Sequence, residues 1–230
     1  MQLNEWNLKP DPVTLAYHLG QMEEPYRSTV HFADFIEEKM QVSKNVMDLG
    51  CGAGAPTQYI ARKYPNTQFV GLDASIDLIS HAAPAPNIAY VPGDLMNLPV
   101  LHGVDGVTLI QVLSWVESYH VPLHQIATRL RPKWIAFSTL VYDGDIDCKI
   151  VVTEHKRPRT SYYNIYGMDG IKRAMLEDSY QLVKHQPFFI DIDLHPPNNK
   201  DLMGTHTHEG MQFSGPLHLP WYFVMFERAR

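Results

Sequence analysis

Acids set beside a glycine-rich turn are where this chain can do chemistry. In Val46-Met-Asp-Leu-Gly-Cys-Gly-Ala-Gly54 a buried-strand pattern runs into Gly50, Gly52 and Gly54. A turn of small residues lets backbone approach a ligand without Cβ interference, so the segment reads as a nucleotide-type cofactor site. The apolar run Phe69-Val-Gly-Leu72 ends in Asp73, about 20 residues past Gly54, the interval at which the second strand of a mononucleotide-binding unit presents an acid to a ribose diol. Ala89-Tyr-Val-Pro-Gly-Asp94 reads as a third strand ending in another acid, placed to line a cofactor base. Asp48, Gly50, Cys51, Gly52, Asp73, Ala74, Asp94 and Leu95 are therefore candidate cofactor-binding residues.

Four segments, VMDLGCGAG, then FVGLDAS from Phe69 to Ser75, VPGDLMNLP from Val91 to Pro99 and LIQVLSWVE from Leu109 to Glu117, resemble the class I S-adenosylmethionine-dependent methyltransferases. The resemblance runs from about Val46 to about Leu140 and implies S-adenosylmethionine as cofactor. It also implies that Gln111 and Trp115, at the end of the fourth strand, line the cofactor or substrate. The spacing of Gly50, Gly52 and Ala55 satisfies a dinucleotide fingerprint as well, which keeps a nicotinamide dehydrogenase as an alternative. Asp48 argues against it, because a carboxylate beside the loop repels a pyrophosphate and tolerates the ammonium group of S-adenosylmethionine. A second alternative keeps the cofactor and abandons methyl transfer: attack of the cofactor's own amine on its γ-carbon would close a ring and release methylthioadenosine.

Methyl transfer needs a nucleophile in line and about 3 Å from the methyl carbon, so orientation and exclusion of water can supply much of the acceleration without a metal. A sulfonium favours aromatic faces, which draws attention to Trp115 and to the cap residues Tyr17 and Tyr26. Gln21 and Arg27 could hold the methionine carboxylate. On the acceptor side, Val141 to Gly167 and Pro196 to Pro220 are long enough to wall a pocket. They supply the candidate catalytic groups His206, His208, Tyr142, Tyr163 and Asn164. Asp143, Asp145 and Asp147, and the pair His206 and His208, read as solvated loops rather than metal ligands. The segment Gln111-Val-Leu-Ser-Trp115 stands where, by resemblance, enzymes acting on nucleic-acid bases carry an acid or Asn followed by Pro-Pro-aromatic, and so departs from that subclass.

The elements that position these groups follow from periodicity. Helices are expected over Pro12 to Met22 and Ser28 to Met40, with near-helical recurrence of Val30, Phe32, Phe35, Ile36 and Met40. Strands ending at Leu49 and Asp73, and near Ile88–Val91, Val107–Val112 and Trp134–Leu140, alternate with helices near Thr57–Tyr64, Ser75–Ala82 and Leu123–Leu130. A helix over Asp169–Glu177 and strands at Phe188–Leu194 and Trp221–Phe226 complete the pattern, the resemblance implying a partly antiparallel final pair. The expectation is an α/β, Rossmann-like, doubly wound and mostly parallel seven-stranded sheet with an N-terminal helical cap. Residues 1–44 would form the cap, 45–140 the cofactor-binding core, and 141–230 the substrate-side insertions and final strands of one domain.

The chain has 230 residues, 45% of them hydrophobic, which suits one globular domain. A formal net charge of −6 offers no field to attract nucleic acid or an anionic membrane surface, so a small-molecule substrate is expected. Cys51 and Cys148 form no disulfide framework or C-x-x-C pair, and no secretory or membrane-spanning pattern is visible. A reducing, cytoplasmic setting is the expectation.

Overall fold

The computed structural model describes residue 10 and residues 12–155, 159–188, 203–208, 211–216 and 221–229. Among the described residues three helices come first: α1 (Pro12–Glu23), α2 (Arg27–Phe35) and α3 (Glu37–Met40). The helix expected over Ser28–Met40 is thus divided at Ile36, whose φ of −93° and ψ of 0° leave the ideal helix while keeping its N–H on the Phe32 carbonyl. Phe32, Ile36 and Met40 still share one buried face, packed with Phe223 and Met225 of the last strand. Burial of that face, rather than an unbroken helix, is what the apolar recurrence encodes.

The central strands are β1 (Asn45–Leu49), β2 (Gln68–Asp73), β3 (Ile88–Pro92), β4 (Gly106–Ile110) and β5 (Trp134–Tyr142). They alternate with α4 (Ala55–Lys63), α5 (Ile76–Ser80) and α6 (His120–Gln125), the last continuing as a π turn over Ile126–Leu130. After β5 come β6 (Val151–Glu154), β7 (Arg159–Tyr162), β8 (Tyr166–Gly167), α7 (Met168–Glu177), β9 (Tyr180–Pro187), β10 (Met203–His208), β11 (Met211–Pro216) and β12 (Trp221–Arg228).

The main sheet runs β3-β2-β1-β4-β5-β12-β9, and β8 adds two residues beside the end of β5. Strands β1 to β5 pair in parallel and β12 is antiparallel to both β5 and β9. Four of the five residues of β1 are buried, as a parallel strand covered on both faces requires. Strand order reverses between β1 and β4, so their carboxyl ends open a crevice where such sheets take ligands. At the opposite end of β1, the Asp105 carboxylate accepts from the Lys44 and Asn45 N–H groups and pairs with Lys133, fixing where the strand begins.

The sheet and the expectation differ mainly after β5. The expected strand at Phe188–Leu194 is instead β9, Tyr180–Pro187, and residues 189–194 lie outside the described residues. Most of β9 is exposed, so its polar sequence lacks an apolar signature. Ser179, at φ +66°, turns the chain out of α7 directly into it. The two expected polar loops each contain an antiparallel ribbon, β6 with β7 and β10 with β11. Smaller differences lie in the ends of elements: α4 starts at Ala55, with Pro56 in its first turn, and β4 stops at Ile110 because Gln111 adopts φ +59°.

Candidate functional site

The turn after β1 is built by glycines with different tasks. A Cβ at Gly50 would stand 2.6 Å from Val112 Cγ2, and one at Gly54 2.5 Å from the Tyr90 hydroxyl. These two glycines admit core side chains from beyond β4 and from β3. Gly52, at φ +56°, faces the other way, where a Cβ would meet the His18 ring of α1 at 3.0 Å and no other described atom within 4 Å. Backbone bonds hang the turn on β2, with Gly50 and Cys51 N–H both donating to the Leu72 carbonyl, at 2.7 and 3.1 Å.

Asp73 closes the arrangement. One carboxylate oxygen accepts from Gly52 N–H and the other from Ser75 N–H, each at 2.8 Å. Ser75 in turn caps α5, its side chain accepting from Leu78 N–H. Ala74 N–H also bonds the carboxylate, whose two oxygens together provide about four lone-pair directions, so acceptor capacity remains beyond these backbone bonds. Burial raises the Asp73 pKa, while the Ser75 and Gly52 N–H groups and His18 oppose the rise.

Asp48 lies behind the turn rather than on its open face. It is 2% exposed, and its two oxygens accept from Thr57 Oγ1 of α4 at 2.5 Å and Thr108 Oγ1 of β4 at 2.8 Å. The expectation of Asp48 as a direct ligand contact becomes that of a post holding helix, turn and strand together. Burial pushes its pKa up to about 6 despite the two threonine hydroxyls. The neighbouring Cys51 thiol is also pushed up, first by burial and then by Asp48 and Asp73, so it stays protonated and unreactive. Tyr90, whose hydroxyl donates to the Gly54 carbonyl at 3.2 Å, wedges β3 against the turn.

Asp94 and Leu95 follow β3. Asp94 organises its own turn, accepting from Met96 N–H at its side chain and from Asn97 N–H at its carbonyl, and Leu95 is buried. Beyond β4, Gln111 N–H donates to Ser138, and its side-chain amide donates to Ser28 Oγ of α2 at 3.3 Å. This bond ties the cap to the switch point. Trp115 is half-buried and meets the Tyr163 ring edge-on, with centroids 5.0 Å apart.

Behind that aromatic pair is a polar knot. Ser114 Oγ lies 2.7 Å from Thr139 Oγ1 and accepts from Leu140 N–H, while Asn164 N–H donates to the Ser114 carbonyl. The fully buried Asn164 amide donates to the Val116 carbonyl and the Tyr166 hydroxyl and accepts from Ile150 N–H. Asn164, expected among the catalytic candidates, is instead spent on holding Trp115 and Tyr163 in place. Tyr142 is half-buried at the end of β5, against Gly144.

The structure thus gathers Gly50, Cys51, Gly52, Asp73 and Ala74 at the ends of β1 and β2, with Asp94, Gln111 and Trp115 at the ends of β3 and β4. Gln21 lies on α1 and Arg27 starts α2. The Tyr17 side chain lies outside the described residues, as do the side chains of His206 and His208, whose backbone belongs to β10. His18, Thr57, Tyr90 and Thr108 are site residues that sequence reasoning missed. His18 could have been found from its place beside Tyr17 on an expected cap helix; the threonines carried no signal. Among the described residues no group of three or more His, Cys, Asp or Glu could hold a metal, and no helix is long and apolar enough to cross a membrane.

Residues 46–133 match a family model described as a methyltransferase domain. Over 98 residues the chain is 33% identical to trans-aconitate 2-methyltransferase of Mycobacterium tuberculosis, covering 42% of this chain and 37% of that one. The chain spans little more than a third of the length of the curated relatives it matches. The Burkholderia thailandensis 1,6-didemethyltoxoflavin-N1-methyltransferase, solved with its substrate and S-adenosylhomocysteine, is similar in fold at 15% identity, with a TM-score of 0.61 over 94% of this chain and 84% of that one. An S-adenosylmethionine-dependent methyltransferase from Clostridium acetobutylicum gives a TM-score of 0.60 at 12% identity over 95% and 98% of the two chains.

Proposed function

We propose, from the methyltransferase-domain match over residues 46–133 and the shared fold, that this chain is a class I S-adenosylmethionine-dependent methyltransferase that transfers the cofactor's methyl group to a small-molecule acceptor, at oxygen, nitrogen or a carboxylate. The observation that carries this reading is Asp73 at the end of β2, bonded to Gly52 N–H with acceptor capacity to spare. The residues fit the cofactor: Gly52 leaves the turn without a Cβ on its open face, Asp73 receives the ribose diol, and Asp94 with Leu95 borders the base. When bound, the cofactor supplies a methyl group on a cationic sulfonium.

The chain's own part is orientation and exclusion of water. Trp115 and Tyr163 form an aromatic wall fixed by Asn164, and Tyr142 at the end of β5 would border the acceptor. A small acceptor is supported by the relatives, whose names specify trans-aconitate and 1,6-didemethyltoxoflavin. A carboxylate acceptor is already a nucleophile at neutral pH and needs no catalytic base, so the reading stands without assigning one. A formal net charge of −6 offers no field to attract nucleic acid, so a small molecule is the proposed partner.

Incubation with S-adenosylmethionine, with and without a panel of small carboxylates, amines and phenols, tests the reaction class. S-adenosylhomocysteine should form only where an acceptor is present. Rapid methylthioadenosine release from cofactor alone would replace methyl transfer with intramolecular cyclisation.

A further inference from the structure

Gly50 and Gly54 face core side chains, whereas the described group facing Gly52 comes from the cap helix. His18 Nδ1 and Cε1 would lie 3.0 and 3.2 Å from a Cβ on Gly52, so the imidazole rests directly on the glycine with no room for a ligand layer between them. The same ring is close enough to Asp73 for the two charges to influence each other. Gly52 is the glycine whose missing side chain leaves the turn open, and Asp73 is the acid assigned to the ribose. His18 therefore stands on the approach path.

We propose that His18 is a plug carried by α1, and that its imidazole and the cofactor's ribose compete for the Gly52 face and for Asp73. This rests on the cofactor reading above and adds to it a lid: α1 must lift or its histidine must swing aside before the cofactor seats. Burial lowers the His18 pKa more than Asp73 raises it, so the ring is mainly neutral at pH 7 and is held by packing and polar contact rather than as a full ion pair.

A plug of this kind reduces apparent affinity by the fraction of molecules in the binding-competent arrangement, so removing it should tighten binding by about threefold to tenfold. The test is titration calorimetry of S-adenosylhomocysteine against wild type, His18→Ala and His18→Phe, with hydrogen exchange of α1 measured in ligand-free samples. The alanine variant should bind more tightly and lose α1 protection without ligand, whereas phenylalanine, which keeps a ring on Gly52, should bind no better than wild type. Weaker binding by His18→Ala, or unchanged α1 protection in it, overturns the plug. If all three proteins fail to bind S-adenosylhomocysteine, the cofactor reading itself falls, and the competition with it.

Discussion

The two ends of the sheet's sequence are built by different rules. From β1 to β4 the site is made of backbone and of side chains held by the strands themselves: Asp73 grips Gly52 N–H, and Asp48 takes a threonine from α4 and another from β4. After β5 the chain makes two ribbons outside the main sheet, and Trp115 and Tyr163 are held by a polar knot around Asn164 rather than by strand register. A cofactor shared by many enzymes can be met by fixed backbone geometry, whereas an acceptor is met by segments that vary without disturbing the sheet.

The largest expected effect breaks the first region. Gly54→Val drives a side chain into the Tyr90 ring at a residue with φ +85°, and should destabilise the fold by about 3–5 kcal/mol, overpacking and backbone strain combined. Urea denaturation checks it. Gly52→Val, by contrast, meets His18, a side chain on the cap, and should abolish cofactor binding while leaving most of the fold's stability.

Breaking the second region should cost less. Asn164→Ala strips buried partners from the Val116 carbonyl and Ile150 N–H, and should lower stability by about 2–4 kcal/mol. Its diagnostic sign is a change in Trp115 fluorescence, since the knot holds that ring against Tyr163.

Asp48 sharpens the comparison through pH. Its folded-state pKa of about 6 lies above the ordinary 3.8, so the folded protein holds the proton more tightly than the unfolded chain. The corresponding stabilisation is complete below the unfolded value and is lost as pH rises through about 6, amounting to at most ~3 kcal/mol. Asp48→Asn should flatten this fall between roughly pH 4 and 6 in denaturant titrations. A wild-type curve that rises over the same interval would contradict the assignment.

How legible each region was in sequence follows the same division. Val46–Leu49 and Phe69–Leu72 are apolar because parallel strands are buried on both faces, so strands and acids could be placed together. The three glycines were visible as a set, but their separate tasks depend on Val112, Tyr90 and His18, which come from distant elements. Beyond β5 the signal fades: β9 is an exposed edge strand whose Lys184, His185 and Gln186 carry no apolar alternation, and the register of the ribbons is written in no periodicity. In sequence Asn164 is a candidate catalytic group of the Val141–Gly167 segment, and only its burial shows that it supports rather than reacts.

The smallest expected effect is on the proposed acceptor wall. Tyr163→Ala removes one edge-on aromatic contact, worth about 1 kcal/mol, and should raise KM for the acceptor while leaving S-adenosylhomocysteine affinity unchanged. A matching loss of cofactor affinity would mean that the two regions are not separable in the way their construction indicates.

Calorimetric titration of S-adenosylhomocysteine into wild type and Asp73→Ala tests the cofactor cradle most directly. The carboxylate's bonds to the ribose should be worth roughly 1.5–3 kcal/mol, a loss of about tenfold or more in affinity, with the variant still folded by circular dichroism. Equal affinities for the two proteins would contradict the placement of the ribose at the end of β2, and with it the account of the glycine turn as the cofactor's seat.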